Sequence, residues 1–306
     1  MKVLVIGGSG FVGRALIPAL LNSGHDVSVL NRGNQRIEVV TQLVADRDDP
    51  AAVGLHQAAY DVVVDTSGYT KQQVEIAFSA FGPSAGRWIH LSSAAVYRET
   101  PHLPTEDDQL GGAEVWGEYG ADKSEVDEFL TKRTECPIAI LRPPYLYGPN
   151  NANDRETFVW SRVLSGRPVI VPGDGSAQLQ FLHVQDLARI IVRFAETNFG
   201  QKAIYNVAEP ETMNAETWVR KVAAASGEGV SIIHARNHAV GIAARQFFPF
   251  RDYPCALDVS RFVRDFRWDF TFSFNQGIEN TFLSYDRDAL VEASATTDGE
   301  KRILNT

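Results

Sequence analysis

The chain has 306 residues, of which 44% are hydrophobic and 22% charged, with a formal net charge of −9. Those values belong to an ordinary soluble globular protein, long enough for one generous α/β domain or a main domain with a smaller companion, and favour neither a disordered nor a membrane class. The negative charge argues against broad binding of nucleic acid and leaves small molecules as the expected partners of a monomer or homodimer.

Cys136 and Cys255 are the only cysteines, and each adjoins a proline. Two such residues make neither a disulfide framework nor a metal-site pattern, so a cytoplasmic setting and no metal are expected. Strand-like KVLVIGGSG opens the chain without a charged leader, and no later apolar run approaches membrane length.

In chain order, the aliphatic runs VLVI (3–6), VSVL (27–30), DVVV (61–64), WIHL (88–91) and IAIL (138–141) are separated by segments of helical length. That alternation predicts a parallel sheet wrapped by helices, and the near-continuous apolar character of the strands suits burial on both faces. The first helix, FVGRALIPALL, contains Pro18, which removes a helical hydrogen bond and predicts a kink or tight first turn. Val74, Phe78 and Phe81 recur at helical spacing. After RPPYLYGPN (142–150) the alternation weakens into a helix near 155–165, a turn PGDGS at 172–176, and a helix bearing Leu187, Ile190, Ile191 and Phe194.

These elements predict a doubly wound Rossmann-type domain over 1–149, with roughly 181–207 and 253–265 added. A smaller C-terminal substrate lobe takes 150–180, 208–252 and 266–290, and 291–306 is a tail whose last residues, SATTDGEKRILNT, read as frayed. ARQFFPFRDYP (244–254) concentrates Phe247, Phe248, Phe250 and Tyr253 and reads as a packed loop rather than a substrate-facing wall. His234 and His238 stand at i and i+4, but no glutamate follows the first, which argues against zinc.

GGSGFVG follows the first strand at once and can be read as G-x-G-x-x-G or as G-x-x-G-x-x-G. Between a strand and a helix, such a turn brings backbone close to a pyrophosphate seated on unpaired helix N–H groups. Both registers satisfy that physics, so Gly7 or Gly8, with Gly10 and Gly13 and the intervening Phe11 and Val12, are candidate cofactor residues. An acid at the end of the second strand would select a free ribose 2′-hydroxyl and an arginine a 2′-phosphate. Asn31 and Arg32 stand there, so NADP is preferred to NAD. Asp46 is placed either to accept from the adenine amino group or to cap a helix, and Thr66, Ser67 and Gly68 lie further along the cofactor.

In WGEYGADKSEVDEFL, Tyr119 and Lys123 share one helix face with Val126 and Leu130. A lysine on the buried side needs a use for its charge. Stabilising a phenolate would let Tyr119 donate or accept a proton near neutrality. Upstream, IHLSSAAVY ends a buried strand with Ser92 and Ser93, on the carboxyl edge where ligands lie in open α/β sheets, and Ser93 is placed to orient a substrate oxygen. His90 and His183 sit in apolar runs and read as core or pocket-edge histidines rather than metal ligands.

Together, GGSGFVG, LSSAAVY, YGADK, RPPYLYGP and FLHVQDLA resemble, in order and spacing, the extended short-chain dehydrogenase/reductase superfamily, which includes NAD-dependent epimerases and dehydratases. The resemblance implies the register Gly7, Gly10, Gly13 and makes Tyr119 the acid/base. It also implies that Lys123 holds the nicotinamide ribose and depresses the tyrosine pKa, that Ser93 polarises the reacting group, and that Pro143 and Pro144 flank the nicotinamide. The implied activity is an NAD(P)-dependent oxidoreductase or epimerase/dehydratase acting by hydride transfer on a small hydroxyl- or carbonyl-bearing substrate. Sugar-nucleotide members carry an arginine after the GDGS-type turn, where this chain has Leu179, which argues against a UDP-sugar. VSVLNRGN and QFLHVQDLAR look closer to atypical members, including relatives of the chloroplast stem-loop RNA-binding proteins. A non-catalytic cofactor- or RNA-binding role is thus the alternative, which the intact Ser93, Tyr119 and Lys123 disfavour.

Overall fold

Strands that are apolar on both faces must be covered on both sides. The computed structural model, which describes residues 1–235, 241–293 and 295–304, provides that cover. The chain runs β1 (Lys2–Ile6), α1 (Phe11–Asn22), β2 (Asp26–Asn31), β3 (Thr41–Val44), α2 (Pro50–Gly54), β4 (Val62–Asp65), α3 (Lys71–Phe81), β5 (Trp88–Leu91), α4 (Gly117–Thr131) and β6 (Ile138–Arg142). It continues through β7 (Tyr145–Tyr147), α5 (Glu156–Leu164), β8 (Val169–Pro172), β9 (Gln178–His183), α6 (Val184–Glu196), β10 (Lys202–Asn206), β11 (Thr212–Asn214), α7 (Ala215–Ala225) and β12 (Ile232–Ala235). The last described helices are α8 (Ser260–Phe266), α9 (Phe274–Phe282), α10 (Arg287–Glu292) and α11 (Asp298–Leu304).

Two units emerge. The first comprises Met1–Pro144, Val184–Ala208 and Leu257–Asp269, and the second Tyr145–His183, Glu209–Ala256 and the chain from Phe270 on. In the first unit seven strands lie in the order β10-β6-β5-β4-β1-β2-β3, with every pairing parallel. The order reverses between β1 and β4, which opens a crevice at the carboxyl ends of these strands. Phe78 and Phe81 of α3 and Val126 and Leu130 of α4 cluster with Leu4, Val63 and Trp88 of the sheet, while α1 packs on α6. Helix α1 is continuous, and Pro18 lies on its exposed face, where water can satisfy the freed carbonyl.

The second unit holds a three-stranded sheet, β11-β9-β7, and a two-stranded one, β12-β8. Because β7 pairs with β9, the first unit ends at Pro144 rather than at residue 149. Phe247, Phe248 and Phe250 are buried, and Phe250 lies 4.7 Å from the Trp218 ring and 4.4 Å from that of Tyr145. Leu179 is a core side chain of β9.

Where the tail was expected to fray, the described residues Asp298–Leu304 form helix α11 instead. Thr297 and Glu300 form a reciprocal cap at the start of α11: the Glu300 N–H donates to Thr297 Oγ1 at 3.1 Å and the Thr297 N–H to Glu300 Oε2 at 2.7 Å. Arg162 Nε and Nη2 each donate to the same buried carboxylate at 2.8 Å. Burial alone would raise the Glu300 pKa, but these bonds hold it below the usual glutamate range.

Breaking a buried pair leaves an uncompensated charge, so Glu300→Ala is expected to lower the unfolding free energy in urea by about 3 kcal/mol. In the wild type this contribution is complete above the ordinary glutamate range and is lost as pH falls through the depressed native value. An unchanged urea midpoint at neutral pH would contradict this docking of the C-terminal helix.

Candidate active site

At the crevice, Gly7 has φ +93°, and a Cβ there would lie 2.4 Å from Ser67 Oγ; a Cβ on Gly13 would lie 2.1 Å from the Gly8 carbonyl oxygen. Both positions therefore require glycine. Gly10 is the N-cap of α1, and a Cβ on it would meet nothing within 4 Å. No side chain caps this helix and its first turn contains no acid, so the leading N–H groups are left for an anion.

A groove of about 310 Å³ follows, lined by Gly7, Ser9, Leu30, Asn31, Arg32, Asn34, Asp46, Arg47, Ser67, Tyr69 and Gln73 among others. Its chemistry fits the adenosine and phosphate end of a dinucleotide: an open helix N-terminus, an exposed Arg32 and a wall of polar side chains. Phe11 and Val12 are half-buried in the first turn of α1. Asn31 shapes the loop, because its Oδ1 accepts from Gly33 N at 2.9 Å and from Gln42 Nε2 at 2.8 Å. Asp46 is exposed and accepts from Asp48 N at 3.1 Å, while the cap of α2 is Asp49, not Asp46. Thr66 Oγ1 donates to the Ile6 carbonyl at 3.0 Å, which ties β4 to the glycine turn.

Sequence reasoning missed Arg47. Its guanidinium grips both oxygens of buried Asp65 at 2.9 Å and donates to Ser67 Oγ at 2.7 Å. Burial would raise the Asp65 pKa, yet Arg47 holds it down at about 2. The signal was present: an acid ending the apolar run VVVD demands a cation, and ADRDD supplies one.

The reactive end is organised by α4. Lys123 is 3% exposed, as its place on the apolar stripe requires, but Tyr119 is 42% exposed rather than on the buried side. Tyr119 falls in the first turn of α4, before the helix is fully covered by the sheet. Lys123 Nζ donates to the carbonyls of Gly68 at 2.8 Å and Leu91 at 2.7 Å, with His90 Nε2 at 3.5 Å. Burial lowers the lysine pKa to about 8, against the opposing pull of Asp127 and Asp65. His90 is fully buried, and burial together with Lys123 pushes its pKa well below the usual range.

Ser93 is half-buried, and its Oγ accepts from Ala95 N at 3.2 Å, which starts a short 3₁₀ turn. That turn packs on α4 where Gly120 lacks a side chain: a Cβ there would be 2.8 Å from the Ala95 carbonyl. The Pro143 carbonyl accepts from Ala94 N at 2.8 Å, and Pro144 beside it is buried. Ser93, the Tyr119–Lys123 turn and the two prolines are thus brought together. Ser92 is buried beside the Asp127 carboxylate of α4, whose pKa it helps to hold down against burial.

Elsewhere, His234 Nε2 lies 3.2 Å from Glu216, and His238 falls outside the described residues. Among the described residues, no group of three or more His, Cys, Asp or Glu is arranged to hold a metal, and no helix is long and apolar enough to cross a membrane.

The sequence profile of the NAD dependent epimerase/dehydratase family matches residues 3–208. The chain is 28% identical over 320 residues to the chloroplast stem-loop binding protein of 41 kDa b of Arabidopsis thaliana, covering 97% of this chain and 83% of that protein. It is 30% identical over 216 residues to a 2-alkyl-3-oxoalkanoate reductase of Stenotrophomonas maltophilia, covering 61% of this chain and 63% of that one. Among solved structures, the UDP-glucose 4-epimerase of Thermotoga maritima with UDP-glucose aligns with a TM-score of 0.77 at 16% identity, over 95% of this chain and 100% of that one. The UDP-glucuronic acid 4-epimerase of Bacillus cereus, in complex with UDP-glucuronic acid and NAD, aligns at 0.74 and 20% identity with the same coverage. At such identities the structural matches establish the fold. With a profile match spanning most of the chain, over a parallel sheet with a glycine turn at its switch point, the protein belongs to the NAD dependent epimerase/dehydratase family.

Proposed function

We propose that this protein is an NAD(P)-dependent oxidoreductase, or an epimerase or dehydratase working by transient oxidation, acting on a small hydroxyl- or carbonyl-bearing substrate. The observation that carries the reading is the pairing on α4 of an exposed Tyr119 phenol with a buried Lys123 ammonium, beside the Ser93 turn. Gly7, Gly10, Gly13, Phe11 and Val12 hold the pyrophosphate at the start of α1, Asn31, Arg32 and Asp46 take the adenosine end, and Thr66, Ser67, Gly68 and Ser92 continue the site toward Pro143 and Pro144. The bound nicotinamide supplies the hydride acceptor or donor. Tyr119 takes the substrate hydroxyl proton in oxidation and returns it in reduction, Ser93 donates to the substrate oxygen, and Lys123 holds the ribose and favours phenolate. Leu179 offers no charge to a diphosphate, which disfavours a UDP-sugar.

A second reading, a cofactor-binding protein without turnover, draws on the similarity to the chloroplast stem-loop binding protein. Following nicotinamide absorbance with candidate sugars, alcohols and ketones separates the two, since a binding module shows cofactor binding and no turnover.

Space in front of Gly10 is open, so Gly10→Val is expected to fold normally and to lose dinucleotide binding; a folded variant with wild-type affinity would count against the groove as the cofactor site. Arg32→Ala is expected to weaken NADPH far more than NADH, because only the former carries a 2′-phosphate. Equal losses would reduce Arg32 to a surface role.

Tyr119→Phe removes only the ionisable oxygen and is expected to cost about a hundredfold or more in turnover while cofactor binding survives. The Lys123 ammonium is present below its lowered pKa of about 8 and is lost above it, so cofactor affinity in the wild type is expected to fall as pH rises through that value. Lys123→Met is expected to bind cofactor weakly at every pH and to abolish that fall. Its phenol loses a nearby cation, so any remaining activity in the oxidative direction shifts to higher pH.

A further inference from the structure

The buried Lys123 ammonium has no carboxylate within ion-pairing distance among the described residues; its direct partners are two carbonyl oxygens and an imidazole. The charges around it are Asp127 on its own helix, Asp65 on β4 and Arg47 beside it, while His90 on β5 is kept neutral. A buried cation in such surroundings gains from any further source of negative potential.

Tyr69 provides one. It follows Gly68, whose carbonyl Lys123 holds, so the lysine grips the backbone of one residue and lies over the ring of the next, 5.6 Å from its centroid. That distance is within the range at which the face of an aromatic ring attracts a cation. The Tyr69 ring is also 6.5 Å from that of Tyr119, lines the dinucleotide groove, and is 54% exposed. An aromatic side chain more than half exposed at this point is not explained by core packing.

We propose that Tyr69 is a positioning residue of the reactive pair: its ring caps the Lys123 ammonium and forms the wall between the dinucleotide groove and Tyr119. The capping requires the ring face and not the hydroxyl. Phenylalanine therefore preserves it, leucine covers the lysine without attracting it, and tryptophan attracts it more strongly. The sign follows from the charge. Loss of the ring destabilises the ammonium relative to the amine, so the lysine loses its proton at a lower pH.

The test is NADPH binding, followed by nicotinamide fluorescence across pH 6 to 10 in the full chain. The inference rests on the reading that Lys123 holds the cofactor ribose. Tyr69→Leu is expected to move the alkaline fall in affinity to lower pH by about half a unit to one unit, while Tyr69→Phe leaves it in place. A wild-type midpoint in Tyr69→Leu, or equal shifts in the Leu and Phe variants, overturns the proposal. If the leucine variant does not fold, Tyr69→Trp carries the test: a midpoint at or above that of the wild type supports the capping role, and a lower one overturns it. Lys123→Met distinguishes the two levels. If it leaves the affinity and its pH dependence unchanged, the ribose-holding reading fails and the capping role falls with it. If it removes the alkaline fall while Tyr69→Leu fails to move it, only the capping role falls.

Discussion

The rotation of α4 about its axis is set by two charged side chains buried against the sheet, and the reactive end of the site depends on that rotation. Asp127 is bound by Arg142 Nε at 2.7 Å, and Arg142 in turn donates to the Tyr97 hydroxyl at 2.8 Å. Tyr97 donates to Asn206 at 2.6 Å, which carries the network to β10. One turn before Asp127, Lys123 reaches the carbonyl ends of β4 and β5. Rolling the helix would leave two buried charges without partners at a cost of several kcal/mol, so a single orientation survives. With that orientation fixed, Tyr119 falls where the helix emerges from cover, and its phenol is both held and accessible.

The other half of the site is built by close approach of backbone. Gly7 and Gly13 are required because Ser67 and the Gly8 carbonyl fill the space a side chain would need, whereas Gly10 faces open space at an uncapped helix start. Beneath the same turn, Arg47 joins Asp65 and Ser67, which sets the floor of the groove. Arg47 is neutralised by Asp65, and Asp46 and Asp48 also line the groove, so what it offers an anionic ligand in a chain of net charge −9 is the exposed Arg32 and the uncapped start of α1 nearby.

Family membership and substrate are separate questions here. The parallel sheet and glycine turn are common to epimerases, dehydratases and reductases of the fold, and the chain also resembles a stem-loop binding protein along 97% of its length. Fold alone does not choose among these uses. In the function proposed above, the residues that would distinguish them are few: Ser93, Tyr119 and Lys123 for chemistry, Asn31 and Arg32 for the dinucleotide, and Leu179 where a diphosphate clasp would stand.

Much of this was legible in the sequence, because short-range patterns carry it. Five aliphatic runs with helical spacers fix the strands of a parallel sheet, the glycine spacing fixes a strand-turn-helix cradle, and the spacing of Tyr119 and Lys123 fixes their common face. The Thr297-x-x-Glu300 cap is equally local, a spacing that by itself marks a helix start. What only the tertiary structure decided are the pairings between residues distant in the chain. Arg47 with Asp65, Arg162 with Glu300, Lys123 with the backbone of Gly68 and Leu91, and the Tyr69 ring with that lysine all join segments whose proximity depends on strand order. The exposure of Tyr119 was decided the same way. Helical periodicity specifies which side chains share a face, but how far along the helix that face stays covered is set by the elements packed against it.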